Sequence, residues 1–251
     1  MGKILGVIPA RYASTRFPEK MLCKIDGKTL IQRTFEQASL ANCVGKWVIA
    51  TDHPSIVAEA EKFGADVVLT KPSHVSGTDR CYEAFEKLSE PFDFLINVQG
   101  DEPLIEIEKI QKVAQALQVG QNIVSLAYPL KDHADVRNPN QVKVVLDKNQ
   151  NALYFSRSPI PFVRGVAEEN WAETHNFYGH VGIYGFAVQT LRELVSLEKS
   201  SLEQAESLEQ LRWIENGYAI HLAITPNKTI GVDTPEDVDK IIAYLRAQSQ
   251  K

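Results

Sequence analysis

Short apolar runs recur along the first half of this chain with helix-spaced patterns between them, and that alternation is what most limits the folds open to it. Ile4 to Ile8, Trp47 to Ala50, Asp66 to Leu69, Phe94 to Val98 and Ile123 to Ala127 each have the length of a strand. Between them Leu30 to Leu40, Ile56 to Phe63, Thr78 to Leu88 and Ile107 to Leu117 read as helices; Ile107, Ile110, Val113, Ala114 and Leu117 form one stripe at helical spacing. Strands separated by helix-length crossovers pair in parallel, so the pattern predicts a doubly wound, mostly parallel α/β sheet of Rossmann-like type.

From Val142 to Phe186 the pattern changes to short β-like pieces, V-K-V-V-L-D, A-L-Y-F-S-R and Y-G-H-V-G-I-Y-G-F, around a Pro-rich stretch and a Glu-rich loop. This reads as a small antiparallel extension over 142–186, embedded in a single domain spanning 1–251. The exposed-looking aromatics Phe162, Trp171 and Phe177 make the extension a candidate twofold surface, hence a homodimer. Leu202 to Ile214 reads as one helix, Ala219 to Ile224 as a strand, and Thr234-Pro235 as the N-cap and first position of a last helix. In that helix Val238, Ile241, Ile242 and Leu245 are expected to face inward.

Of 251 residues 44% are hydrophobic, enough for a sizeable core, and the net charge of −5 argues against a nucleic-acid binder, whose affinity comes from neutralising phosphates. Three cysteines without C-x-x-C spacing suggest reduced, mostly structural thiols and no zinc site. No apolar run suits a signal peptide or a membrane span of roughly 20 residues, so a soluble cytoplasmic protein is expected.

The cations are local. In G-V-I-P-A-R-Y-A-S-T-R-F-P-E-K the first strand runs into a loop carrying Arg11, Arg16 and Lys20, at the strand end where open α/β sheets bind ligands. Three cations and backbone N–H groups there suit a triphosphate. No glycine-rich cradle is present, which excludes a P-loop and a dinucleotide fingerprint. The strand F-L-I-N-V ends in Q-G-D-E-P, bringing Gln99, Asp101 and Glu102 to the same sheet edge. Asp101 is a natural Mg²⁺ ligand, because that ion takes one or two carboxylates plus substrate phosphates. Asp233, in G-V-D-T-P-E-D, is a second candidate, although an acid before a helix is also explained by the helix dipole.

Other signals leave two readings each. Ser76 and Gly77, in H-V-S-G-T-D-R with Arg80, suit either a nucleoside contact or an ordinary helix entrance. His180 and Tyr184 share one face of a strand, as structural residues or as ligand contacts. Glu209 can pair with Arg212 on a helix surface, and Arg157 can bind a carboxylate or brace the extension.

Taken in order from Ile8 to Asp237, I-P-A-R-Y-A-S-T-R-F-P-E-K, A-T-D-H, H-V-S-G-T-D-R, N-V-Q-G-D-E-P, N-P-N-Q-V-K-V-V-L-D, A-L-Y-F-S-R-S-P-I-P, H-V-G-I-Y-G-F, L-E-Q-L-R and G-V-D-T-P-E-D resemble the 3-deoxy-D-manno-octulosonate (Kdo) cytidylyltransferases, the CMP-Kdo synthetases. The resemblance implies a nucleotide-diphospho-sugar transferase-like fold and transfer of CMP from CTP to the anomeric hydroxyl of Kdo, releasing pyrophosphate, for lipopolysaccharide biosynthesis. It implies that Arg11, Arg16 and Lys20 grip the triphosphate, with Ala10, Ser14, Ser76, Gly77 and Arg80 around the nucleotide. Lys20, Arg11 and Asp101 would be the catalytic group, and Asp101 and Asp233 would bind Mg²⁺. Gln99, Arg157, His180, Tyr184 and Glu209 would line the Kdo pocket. One departure is Glu19, where glycine is expected in many relatives; it adds an acid beside the phosphate site. The cationic loop alone also fits cytidylyltransferases of sialic acid or amino-Kdo, or a nucleotide sensor without turnover. Two potential metal carboxylates argue against the sensor.

Overall fold

The computed structural model describes residues 2–13 and 17–249. Backbone contacts divide the chain into two compact units, 1–114 with 229–251, and 115–228. Among the described residues no helix is long and apolar enough to cross a membrane.

In the first unit, β1 (Ile4–Ala10) is buried along its whole length and is the centre of a parallel sheet. After a short hairpin of β2 (Lys24–Ile25) and β3 (Lys28–Thr29), α1 (Leu30–Ser39) crosses to β4 (Lys46–Thr51), which pairs beside β1. Then α2 (Pro54–Lys62) leads to β5 (Asp66–Leu69) on the outside of β4. From there α3 (Gly77–Lys87) carries the chain back to β6 (Phe94–Asn97), on the opposite side of β1. The order β6-β1-β4-β5 therefore reverses at β1, and a crevice opens beyond the carboxyl ends of β1 and β6. The next helix, α4 (Ile107–Gln118), carries the unit boundary and buries Ile110, Val113, Ala114 and Leu117 from the expected stripe.

The β2–β3 turn is Asp26-Gly27, both with positive φ (47° and 85°), the conformation that two-residue hairpins need and that Asp-Gly supplies. This hairpin, with the start of α1, is the seat of the C-terminal helix. Ile25 and Leu30 form a buried cluster with Val232 and Ile241, flanked by Val238, Ile242 and Leu245. The C-terminal helix (Pro235–Ser249) thus docks its apolar face as expected and carries the segment before it, Val232-Asp233, onto the first unit.

In the second unit, β7 (Ile123–Leu130) pairs antiparallel with the long β10 (Phe177–Ala187) and parallel with β11 (His221–Ile224). Between them α5 (His133–Arg137) precedes β8 (Lys143–Leu146) and β9 (Ala152–Ser156); β8 pairs antiparallel with both β9 and β10. A short α6 (Trp171–Thr174) leads into β10, and α7 (Val188–Leu194) follows it. Two expectations are corrected here. Trp171 and Phe177 are buried, stacked on each other at 6.2 Å, so only Phe162 of the three aromatics is exposed, at 75%. And the segment expected as one helix is two, α8 (Ser201–Glu206) and α9 (Gln210–Glu215), because Ser207 turns left-handed at φ 53° and ends the first. A capping box between Ser200 and Glu203 starts α8, and Arg212 of α9 forks onto the Glu203 carboxylate at 2.6 and 2.7 Å, both side chains buried.

Candidate active site

A cleft of about 280 Å³ opens at the carboxyl ends of β1 and β6. Arg11, Lys20, Ser76, Gly77 and Arg80 all line it, with Gln99, Asp101 and Asp233, although they come from five separate stretches of chain. Ser14 and Arg16 lie outside the described residues. Ala10 is fully buried at the end of β1, in register with Thr51, and its side chain is not part of the lining.

The centre of the cleft is the Lys20 ammonium. It donates to Asp101 Oδ2 at 2.6 Å and to the Val232 carbonyl at 2.7 Å, and Asp233 Oδ1 stands 3.8 Å away. Val232 in turn donates its N–H to the Asp101 carbonyl, so the two aspartates are tied backbone to backbone. The Asp237 carboxylate, one turn into the C-terminal helix, accepts from the N–H groups of Asp233 and Thr234. A hydrogen bond from Lys240 is the main cause holding that carboxyl down at about 2, with burial opposing it and these two N–H groups assisting. The sequence reading missed Asp237 as the group that fixes Asp233.

Gly100, between Gln99 and Asp101, has a steric reason. A Cβ there would lie 2.8 Å from the Pro9 carbonyl and 3.2 Å from Met21 Sδ, so only glycine lets β1 and the Gln99–Asp101 turn come this close. Next to Asp101 the carboxyl end of Glu102 is buried. Burial, then the Asp101 charge, push it up to about 7, against the Thr229 hydroxyl and Lys109.

Arg80 is a cation already committed. It is buried, donating to Thr70 Oγ1 at 2.6 Å and to Asp52 Oδ2 at 2.8 Å. The other Asp52 oxygen accepts the Tyr12 N–H at 3.0 Å, and the Tyr12 ring stacks on His53 at 3.7 Å. Asp52 and His53, in the A-T-D-H motif, thus anchor the cationic loop to β4. Arg11 remains exposed, and among the described residues no side chain pairs with it. Ser76 does cap α3, accepting the Asp79 N–H at 3.1 Å, and the same helix entrance borders the cleft. A further lining residue is His74, whose ring contacts Glu83. Burial opposes ionisation of Glu83, but hydrogen bonds from Lys87, the Lys71 N–H and His74 hold it at about 2.

Glu19 adopts φ 56°, a left-handed conformation that strains every residue but glycine, which is the physical reason for the glycine expected there. Its carboxylate accepts from the Tyr12 hydroxyl at 2.7 Å.

In the second unit His180, Tyr184 and Glu209 come together. His180 and Tyr184 lie on one face of β10 with rings 5.4 Å apart, and Trp213 packs edge-on against Tyr184 at 5.2 Å. Burial, and then the Glu209 charge, raise the Tyr184 phenol well above its ordinary value. Its hydroxyl is buried and has no hydrogen-bond partner among the described residues. Burial pushes the His180 imidazolium down to about 3. Arg157 is a brace: Nε donates to the Glu206 carbonyl at 2.7 Å, and its two terminal nitrogens donate to the carbonyls of Pro139 and Ser207.

The chain matches the cytidylyltransferase family model over residues 5–228. It is 48% identical to the 3-deoxy-manno-octulosonate cytidylyltransferase of Parabacteroides distasonis, over 98% of this chain and 99% of that one. The corresponding protein of Bacteroides thetaiotaomicron is 47% identical over 98% and 100%. A solved structure of CMP:2-keto-3-deoxy-manno-octonic acid synthetase complexed with CTP superposes with a TM-score of 0.90 at 38% identity, covering 98% of this chain and 99% of its own. A 4-diphosphocytidyl-2C-methyl-D-erythritol synthase from Anaerococcus prevotii shares the fold, with a TM-score of 0.65 at 15% identity. Near-complete coverage at this identity, on the same α/β sheet, means that the chain belongs to the 3-deoxy-manno-octulosonate cytidylyltransferase family.

Proposed function

We propose that this protein catalyses the Mg²⁺-dependent transfer of CMP from CTP to the anomeric hydroxyl of Kdo, giving CMP-Kdo and pyrophosphate for lipopolysaccharide biosynthesis in the cytoplasm. The observation that carries this reading is the Lys20 ammonium at the sheet's switch point, held between Asp101 and Asp233. Displacement at the α-phosphorus needs positioned cations around the phosphate oxygens more than it needs covalent chemistry. Arg11 and Lys20, with Arg16 beyond the described residues, are the cations for the triphosphate. The positive end of α3, at Ser76 and Gly77, is the natural place for the anionic or carbonyl oxygens of the nucleotide. Arg80, spent on Asp52 and Thr70, holds the cleft wall and orients the loop rather than moving to meet a phosphate.

The donor set fits a hard divalent cation. Asp101 and Asp233 converge on one positive charge, and Mg²⁺ takes one or two carboxylates with phosphates and water completing its shell. Asp101 and Asp233 would hold the ion, which would supply Lewis acidity at the phosphate. Lys20 aligns both carboxylates before nucleotide arrives, and Asp237 fixes the backbone that carries Asp233.

Support for the sugar acid comes from the second unit. The unpartnered Tyr184 hydroxyl awaits a polar ligand group, and Glu209 beside it is an acceptor for sugar hydroxyls. His180 completes the proposed group in this unit, and Gln99 lines the first unit's cleft. Arg157 acts through the segments that it ties together, its guanidinium facing three carbonyls. A homodimer through the 142–186 extension is in keeping with exposed Phe162 and Leu153.

The test is pyrophosphate release from CTP and Mg²⁺ with Kdo, N-acetylneuraminate or no sugar. Release with Kdo alone is expected. Release with sialate instead would keep the nucleotidyl transfer and overturn the acceptor, and no release with either acid would overturn the proposed reaction.

A further inference from the structure

Ser125 sits in β7, fully buried, opposite the part of β10 where the register shifts between Val181 and Gly185. Its Oγ lies 2.8 Å from His180 Nε2, 3.0 Å from the Val181 carbonyl and 2.8 Å from the Ile183 carbonyl. A serine hydroxyl brings one hydrogen and two lone pairs, and a carbonyl oxygen can only accept. Were the hydrogen given to the imidazole, two carbonyl oxygens would face the hydroxyl oxygen with nothing between them, a repulsive contact in a buried site. Given instead to the carbonyls, the hydrogen leaves a lone pair directed at the ring, and Nε2 must supply the hydrogen for that contact. His180 is neutral, because its burial disfavours the imidazolium, so Nδ1 then carries a lone pair.

We propose that Ser125 is a positioning residue that fixes His180 as its Nε2–H tautomer and so makes Nδ1 a hydrogen-bond acceptor for a hydroxyl of the sugar substrate. The ring is held in place for this by Phe155, edge-on at 5.0 Å, and by Tyr184. Among the described residues Ser125 is the ring's sole hydrogen-bond partner, which leaves Nδ1 for a ligand. An acceptor at this point selects hydroxyl donors and turns away a carboxylate, whereas the other tautomer would present a donor that a carboxylate or a hydroxyl oxygen can accept. The substrate half of the proposal rests on the assignment of His180 to the Kdo pocket; the tautomer does not.

The experiment is long-range proton–nitrogen NMR of the ¹⁵N-histidine-labelled full chain, with His180→Gln identifying the signals. Without ligand, a pyrrole-type Nε2 and a pyridine-type Nδ1 are expected near neutral pH; the reverse assignment, or an averaged pair, overturns the proposal. Titration with Kdo alone should move the Nδ1 resonance toward that of an accepting nitrogen, and an Nδ1 that stays put while Kdo binds overturns the substrate half. In Ser125→Ala the tautomer preference should be lost and KM for Kdo should rise about tenfold, with KM for CTP within about twofold. Equal losses for both substrates would mean a merely structural serine. Should that variant not fold, the wild-type spectrum and its titration still decide. Failure of the proposed reaction would show separately, as no pyrophosphate release with Kdo while the ligand-free tautomer stays as stated.

Discussion

Lys143→Met separates two forces that act on one buried ammonium. Lys143 is fully buried in β8, and its Nζ donates to the carbonyls of Asn138 at 2.8 Å, Gln141 at 2.6 Å and Arg157 at 2.6 Å. The Asn138 carbonyl also receives the Gln141 N–H, so methionine would orphan the other two. At roughly 1–3 kcal/mol each, that costs about 2–6 kcal/mol, offset by relief of the ammonium's own desolvation. Burial is the largest influence on Lys143, with Glu206 opposing and Arg157 assisting; together they lower it from 10.5 to about 8. A lysine depressed in the folded state binds fewer protons there than in the unfolded chain. Its contribution therefore rises with pH between about 8 and 10.5, by roughly 2–3 kcal/mol at the linkage slope. Methionine does not titrate. The stability gap between wild type and Lys143→Met, read by urea unfolding at several pH values, should be a net 1–3 kcal/mol, about that at pH 7, and widen toward pH 10. A gap that narrows as pH rises would show that the three carbonyls outweigh burial and would refute the reasoning. KM for Kdo should rise more than KM for CTP, because one of the three carbonyls that Lys143 gathers is Arg157's own and the other two flank the Pro139 carbonyl that Arg157 holds.

Two other perturbations follow from the same geometry. Asp101→Asn and Asp233→Asn should each lower kcat by about two orders of magnitude or more with unchanged melting curves, and Lys20→Ala should mainly lower kcat/KM for CTP; pyrophosphate release at saturating Mg²⁺ checks all three. Arg212→Met strips the buried Glu203 carboxylate of its bidentate partner and should cost about 3–5 kcal/mol of stability by urea unfolding, whereas Arg212→Met with Glu203→Leu should recover most of it.

What could be read from the chain depended on the range of the interaction. The five early strands and four helices are local patterns, and the structure keeps them within a few residues at their ends. The cleft was legible because parallel strands put their carboxyl ends on one edge of the sheet, so residues just past β1 and β6 share that edge. Arg80 was legible as a site residue but not in its role. Its partners Asp52 and Thr70 stand on other strand ends, and no local spacing reports a bond across 28 residues. Asp26-Gly27 was a hairpin signal in plain view, and missing it hid the docking surface that brings Asp233 home. At Ser207 and Glu19 the backbone is left-handed without a glycine, so tertiary packing overrides the local preference. At Ser207 the override is Arg212 of α9 bound to Glu203 of α8 across the break. At Glu19 the phenol of Tyr12 holds the strained turn just before Lys20, and the expected glycine would relax that turn and leave the tyrosine without its acceptor. The departure from the family pattern thus trades backbone strain for a hydrogen bond across the base of the cationic loop.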